Sequence, residues 1–197
     1  VLGGFNQEWE SYRMDYTKKE ELVSSEVPSV SLASGNVTTK DQEYSWAIRG
    51  LFMRLKYDYM NKYLFEMNGR YDGTSKFPHN SRYGFFPSFS VGWRISSESF
   101  MESSHSWLND LKVRANYGSL GNQNVNGYYP YISTFDVTQQ TPYIINGSLP
   151  ISVAPPGLVS SDLTWETVKS LNLGVDVTVF DRLSASFDWF NRKTINM

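Results

Sequence analysis

Tyr63-Leu64-Phe65-Glu66-Met67-Asn68-Gly69-Arg70-Tyr71-Asp72 decides the fold. Tyr63, Phe65, Met67, Gly69 and Tyr71 fall on one parity, and Glu66, Asn68, Arg70 and Asp72 share the other with Leu64. Successive side chains of a strand point to opposite faces, so a strand here has one apolar face and one polar, charged face. At helical spacing Glu66 and Arg70 would scatter among the aromatic rings. The stretch is a strand.

The same alternation recurs outward in both directions. Tyr44–Tyr57 sets Leu51, Met53, Leu55 and Tyr57 opposite Gly50, Arg54 and Lys56, although Trp46, Ile48 and Phe52 share the polar parity. Asp58–Lys62 then predicts a tight turn. After a loop at Gly73–Arg82, the run Tyr83–Ile95 alternates Phe85, Pro87, Phe89, Val91 and Trp93 with Phe86, Ser88, Ser90, Gly92 and Arg94. Pro87 has no N–H to give a ladder, so it marks a strand start, a bulge or a local edge. Asp110–Gly118 places Leu111, Val113, Ala115 and Tyr117 against Lys112, Arg114 and Asn116. Leu171, Leu173, Val175, Val177 and Val179 alternate with Ser170, Asn172, Gly174, Asp176 and Thr178. Beyond a tight Phe180-Asp181-Arg182 turn, Leu183, Ala185, Phe187 and Trp189 oppose Ser184, Ser186, Asp188 and Arg192. With a looser strand at Gly3–Tyr16, the prediction is an all-β chain of seven antiparallel, up-and-down strands, each nine to twelve residues long, as crossing a bilayer at a tilt needs. Three connections are long and polar. Thr17–Glu43 reads as a solvated loop broken at Pro28 and Gly35-Asn36, Ser96–Asn109 as a connection with a helical turn at Ser99–Glu102, and Ser119–Asp162 as a long Gly-, Asn-, Pro- and Tyr-rich loop.

Composition removes several classes of function. No Cys excludes a disulfide scaffold and thiolate metal sites. A net charge of −2 leaves no basic footprint, so nucleic acid is not expected as a partner. No run approaches the ~18 apolar residues of a spanning helix. A mean hydropathy of −0.42 fits a barrel, whose polar lumen face dilutes the average. Val1 in place of an initiator Met points to processing or excision. No enzyme, cofactor or metal site is expected. His79 and His105 lie in polar connections without partners at metal-ligand spacing, and Asp72-Gly73-Thr74-Ser75 lacks the acidic density of a calcium loop. That tetrad reads as a hairpin turn in which Gly73 supplies positive φ. Gly118–Asn122 is not a phosphate loop, since no Lys follows and no helix opens.

Alternation does not say whether the apolar face meets lipid or a protein core, and a soluble β-sandwich or lipocalin-like ligand- or glycan-binding module reads the same way. Two features favour a transmembrane barrel. Turns at Tyr59–Asn61 and Phe180–Arg182 are tight, while Thr17–Glu43 and Ser119–Asp162 lie at the other end; only Ser96–Asn109 breaks the rule. Tyr57, Tyr59, Tyr63, Trp93, Tyr117 and Trp189 also collect near strand ends, as interfacial aromatics do. The expected lipid-facing residues are then Leu51, Met53 and Leu55, Phe65 and Met67, Val91, Val113, Leu171, Leu173, Val175 and Val177, and Phe187. The expected lumen-facing charges are Arg54 and Lys56, Glu66, Arg70 and Asp72, Arg94, Lys112 and Arg114, Asp176, and Asp188 and Arg192, held mainly in cross-strand pairs and contacts to a plug. An odd strand count with two free edges implies an incomplete barrel that transports nothing alone. In the long loop, Tyr128, Tyr129, Tyr131, Phe135 and Tyr143 are the candidate substrate-binding residues, because Tyr rings stack on sugar faces while Asn122, Gln123, Asn124 and Asn126 offer hydrogen bonds.

An ordered set of motifs carries a family resemblance. Lys62-Tyr63-Leu64, Arg70-Tyr71-Asp72-Gly73-Thr74-Ser75-Lys76-Phe77 and Arg82-Tyr83-Gly84-Phe85-Phe86-Pro87-Ser88-Phe89-Ser90-Val91-Gly92-Trp93 come first. Leu111–Gly118, Gly121-Asn122-Gln123 and Asp162-Leu163-Thr164-Trp165-Glu166-Thr167 follow. From about Ser45 to Thr194 the chain resembles the SusC/RagA family of TonB-dependent outer-membrane transporters of Bacteroidetes-type bacteria. The resemblance implies a plugged barrel of about 22 strands, of which residues 1–197 would supply about a third, with the plug and TonB-contacting segment elsewhere. It also implies import of oligosaccharides or peptides, driven by TonB, beneath a SusD-like surface lipoprotein. Loops Thr17–Glu43, Gly73–Arg82 and Ser119–Asp162 would then face outward. A barrel that is an adhesin or a structural protein is the remaining alternative.

Overall fold

A computed structural model describes residues 1–135, 137, 138, 144, 145, 147 and 152–196. The strands are β1 (Leu2–Lys19), β2 (Val37–Tyr59), β3 (Tyr63–Thr74), β4 (Tyr83–Arg94) and β5 (Leu108–Asn122). There follow a two-residue pair, β6 (Val137–Thr138) and β7 (Ser152–Val153), then β8 (Glu166–Val179) and β9 (Leu183–Ile195). All seven long strands form one antiparallel sheet in the order β1-β2-β3-β4-β5-β8-β9. Each strand therefore pairs with the next long one, as an up-and-down meander requires. The predicted architecture is what the chain adopts. Among the described residues no helix is long and apolar enough to cross a membrane.

Register aligns the alternation across the whole sheet. One row runs Tyr57, Phe65, Val91, Ala115, Leu173 and Trp189, and the next Leu55, Met67, Phe89, Tyr117 and Leu171. Shifted by one residue, a row of the other face runs Arg54, Asn68, Ser88, Gly118, Ser170 and Arg192. A single-residue slip anywhere would exchange the two faces, so the pattern pins the register. Among the described residues no second layer covers the apolar face: Met53 and Val91 are each 49% exposed and Phe187 68%. Ala33, Phe77, Phe86, Leu108 and Trp165 are the buried hydrophobic residues described. A soluble sandwich would bury the rows that this sheet leaves bare.

The strands outrun their apolar pattern. They are 12 to 23 residues long rather than nine to twelve. More than a third of the expected Thr17–Glu43 loop is ladder, with Lys19 opposite Val37 and Arg13 opposite Glu43, which leaves residues 20–36 as the connection. Thr38–Glu43 is polar on both faces, so hydrophobic periodicity is silent there even though the backbone pairs. For the same reason β5 continues through Ser119–Asn122 against Glu166–Lys169, and the long loop starts later than Ser119. Asp72–Thr74 belongs to β3 and is not a turn. Gly73 has no positive φ; a Cβ there would run into the ring of its ladder partner Tyr83. The connection between β4 and β5 holds 3-10 helices at Ile95–Ser97 and Ser99–Ser104, and the expected Ser96–Asn109 connection gives up Leu108 and Asn109 to β5. Pro87 sits at a local edge, because the β4–β5 ladder begins only at Ser88 opposite Gly118.

Candidate functional site

The polar face carries most of the predicted charges as pairs. Glu66 holds Arg54 at 3.3 Å and Lys56 at 3.2 Å across β2–β3, and Arg70 meets Asp72 two residues along its own strand at 2.8 Å. Arg94 reaches Asp110 at 3.3 Å, while Arg114 bridges Asp176 at 3.1 Å and Asp188 at 2.8 Å. Gly174 lies between Arg114 and Asp188 in the ladder, and a Cβ there would collide with the guanidinium. Lys112 faces Asp176 in register, and Arg192 faces Ser170. Toward the loop end the same face forms a concavity of about 580 Å³, whose lining mixes Asn68, Ser88, Asn116 and Asn172 with Arg70 and Arg192. Its floor is an amide and hydroxyl belt in which Asn172 donates to Asn116 at 2.5 Å and Asn68 to Ser88 at 3.3 Å.

At the loop end β4 and β5 part above Ser88 and Gly118, and an aromatic knot fills the fork. Phe77 is fully buried, with its ring 5.4 Å from Trp165; Phe86 lies 5.3 Å from the same indole, both edge to face. Trp165 Nε1 donates to the Arg82 carbonyl at 3.1 Å. Gly121 leaves room for the Phe86 ring, which a Cβ would overlap. Val125 and Leu163 pack on the outside. Four separate motifs of the sequence meet in this knot.

Beside it stands a column of tyrosines. Tyr12 and Tyr44, paired across β1–β2, stack at 4.7 Å, and Tyr128 from the long loop stacks on Tyr44 at 4.0 Å and 8°. Tyr129 donates its hydroxyl to the Ser45 carbonyl at 2.7 Å and lies 3.1 Å from Ser45 Oγ. Lys76 Nζ sits 5.7 Å from the Trp46 ring and 5.8 Å from that of Tyr128. Of the predicted ligand residues, Tyr128 and Tyr129 are thus brought to the wall, Tyr131 is half-buried, Phe135 is 64% exposed, and Tyr143 lies outside the described residues. Tyr12, Tyr44, Trp46 and Lys76, which the structure gathers beside them, were not singled out in the sequence. The signal was the cluster of aromatics on the polar parity of β2, which looked like a fault in the alternation.

The opposite end is closed by tight turns. Met60 and Asn61, and likewise Phe180 and Asp181, have positive φ, as a type I′ hairpin turn requires. In the longer connection, Glu98 gathers Tyr63 Oη at 2.7 Å, Trp93 Nε1 at 3.1 Å and Lys62 Nζ at 3.2 Å. The Tyr63 hydroxyl, then the Trp93 indole and the Lys62 ammonium, hold the Glu98 carboxyl below its ordinary range. His79 and His105 are exposed, and no group of metal-ligating side chains assembles among the described residues.

An open meander with one bare apolar face, one ion-paired face, tight turns at one end and long loops at the other is a wall segment of a large outer-membrane-type β-barrel. The family model described as TonB dependent receptor-like, beta-barrel matches residues 2–197, and the chain belongs to that family. TonB-dependent receptor P3 of Formosa agariphila is 32% identical over 98% of this chain and 19% of its own length. TonB-dependent receptor SusC of Bacteroides thetaiotaomicron is 33% identical over 73% of this chain and 14% of its own length. The fold superposes on a structure of the RagAB peptide transporter with a TM-score of 0.72 at 24% identity, covering 96% of this chain and 21% of that one. The chain therefore spans less than a quarter of the length of the proteins it matches. Its SusC/RagA resemblance is correct, and the family consists of outer-membrane β-barrels.

Proposed function

We propose that this chain is part of the barrel wall of a TonB-dependent importer in the outer membrane of a Bacteroidetes-type Gram-negative bacterium. The importer takes up nutrients such as oligosaccharides or peptides, works with a SusD-like surface lipoprotein, and is driven by TonB through parts outside this chain. The observation that carries the reading is the register-locked separation of the two faces. In this orientation the rows through Leu51, Met53, Leu55, Phe65, Met67, Val91, Val113, Leu171, Leu173, Val175, Val177 and Phe187 meet lipid. Their opposites, from Arg54 to Arg192, line the lumen and face the plug, and the remainder of the barrel pairs with the free edges of β1 and β9. Family membership and likeness to SusC support import.

Deleting the full-length gene tests the reading. Growth on oligosaccharides or on peptides as sole carbon source is expected to fail, and to return with the intact gene but not with one lacking the plug-encoding part. Unchanged growth on every such substrate would rule out nutrient import.

A further inference from the structure

We propose that the ring face of Tyr44, with Trp46, Lys76 and the Ser45 carbonyl around it, is a subsite for a flat-faced ring of the cargo, and that Tyr128 and Tyr129 occupy it in the closed state. This rests on the importer reading and assigns the part of the wall where cargo first stacks. Tyr12 and Tyr44 belong to the wall, fixed by ladder register, whereas Tyr128 belongs to a loop. The described contacts of this loop with the Tyr44 region are ones that a ligand can reproduce. The Tyr128 ring lies flat on Tyr44 at 4.0 Å, as a pyranose or an aromatic side chain would. The Tyr129 hydroxyl donates to the Ser45 carbonyl at 2.7 Å, as a sugar hydroxyl or a peptide N–H would. Lys76 holds its ammonium over the ring, 5.8 Å from the Tyr128 centroid, and offers the same contact to the face of an aromatic ring that takes its place.

The loop is also built to leave. Its base is pinned at Val125, which packs on the aromatic knot. Two residues later Gly127 has φ +83 with nothing within 4 Å of a Cβ position, a pivot in open space. Beyond it lie Tyr128 and Tyr129. Swinging about Gly127 exchanges one stacked ring, the two contacts of the Tyr129 hydroxyl with Ser45 and the Lys76 contact for equivalents from a ligand. The loop is a stand-in for the cargo.

The test uses the full-length receptor in nanodiscs, with p-cresol and methyl glucopyranoside as probes and binding read by calorimetry. Tyr128→Ala is expected to bind at least one probe about ten-fold more tightly than the unmutated receptor, the worth of about one ring stack. Adding Tyr44→Ala should abolish the gain. A gain with p-cresol alone assigns the subsite to aromatic residues of peptides, and with the glucoside alone to sugars. No gain with either probe overturns the proposal, as does a gain that survives Tyr44→Ala. Should Tyr128→Ala not assemble, Tyr129→Phe, which opens the clasp but keeps the ring, must show a smaller gain of the same sign. A reducible bis-maleimide between Ser45→Cys and Tyr129→Cys should stop uptake until it is cleaved. Loss of uptake by the unmutated receptor under every condition would break the importer reading while leaving the probe result intact.

Discussion

At the turn end, β2–β3 and β8–β9 close on two matched hairpins: Met60 and Asn61 share φ of 55°, and Phe180 and Asp181 share 53°. Each is tied by one backbone hydrogen bond, Lys62 N to Tyr59 O at 3.0 Å and Arg182 N to Val179 O at 3.2 Å. At the loop end the neighbours separate instead, β2 from β3 above Ile48 and β4 from β5 above Ser88. Aromatic packing takes over where the ladder stops. The difference teaches where a barrel wall places its order. Backbone geometry and ion pairs hold the turn end, while side-chain burial holds the end where loops must be both positioned and released.

The sharpest way to break the comparison is Trp165→Ala. Removing a buried indole that joins Phe77, Phe86 and the Arg82 carbonyl should cost about 3–5 kcal/mol, and cleavage by external protease in residues 73–82 and 123–165 should rise while the turns stay protected. Equal protection at both ends would mean that the knot does not hold the loops. Next comes Met53→Arg, in the middle of the apolar face. A cost of about 2–4 kcal/mol in assembly is expected for a charge at mid-membrane, read from heat-modifiable gel migration. The same Arg placed at Ser88, on the other face, should be nearly silent, and equal effects would refute the assignment of faces.

Arg114→Ala is a smaller perturbation. It unpairs Asp176 and Asp188 in a partly hydrated setting, so about 1 kcal/mol or less is at stake, and thermal stability should fall slightly with uptake unchanged. The smallest effect is the pH response of the turn end. Because the folded Glu98 carboxyl titrates below its unfolded value of about 4.3, its contribution is complete above that pH and lost as pH falls through the folded pKa. Trp93 fluorescence should therefore shift below about pH 4, and Glu98→Gln should flatten the shift. A shift that persists in the Gln variant would place its cause elsewhere.

Most of the sheet was legible because period-2 alternation is strong wherever one face is bare and the other charged. Seven strands, their order and both faces follow from residues such as Phe65, Glu66, Val113 and Arg114. Strand ends beyond the apolar band were not legible, since Thr38–Glu43 pairs through backbone groups that every residue possesses. The stacked tyrosines were half legible. Tyr128 and Tyr129 stood out in a loop, but Tyr12 and Tyr44 become neighbours of that loop only through tertiary folding across 84 residues of chain, the separation of Ser45 and Tyr129. The knot was hidden differently: Phe77, Phe86 and Trp165 were visible as motif residues, yet nothing in their spacing announces that they touch.

The last ladder pair between β2 and β3 is Ile48 with Thr74, and above it β2 continues from Ala47 back to Val37 beside β1 alone. At about 3.3 Å per residue that ribbon rises roughly 35 Å, as far as a bilayer's hydrocarbon core is deep, at about 30 Å. In the proposed orientation the rim of this wall is not level. The wall stands higher on the β1–β2 side than at β3, and its raised part is a polar ribbon that carries Arg13, Asp15, Lys40 and Asp41.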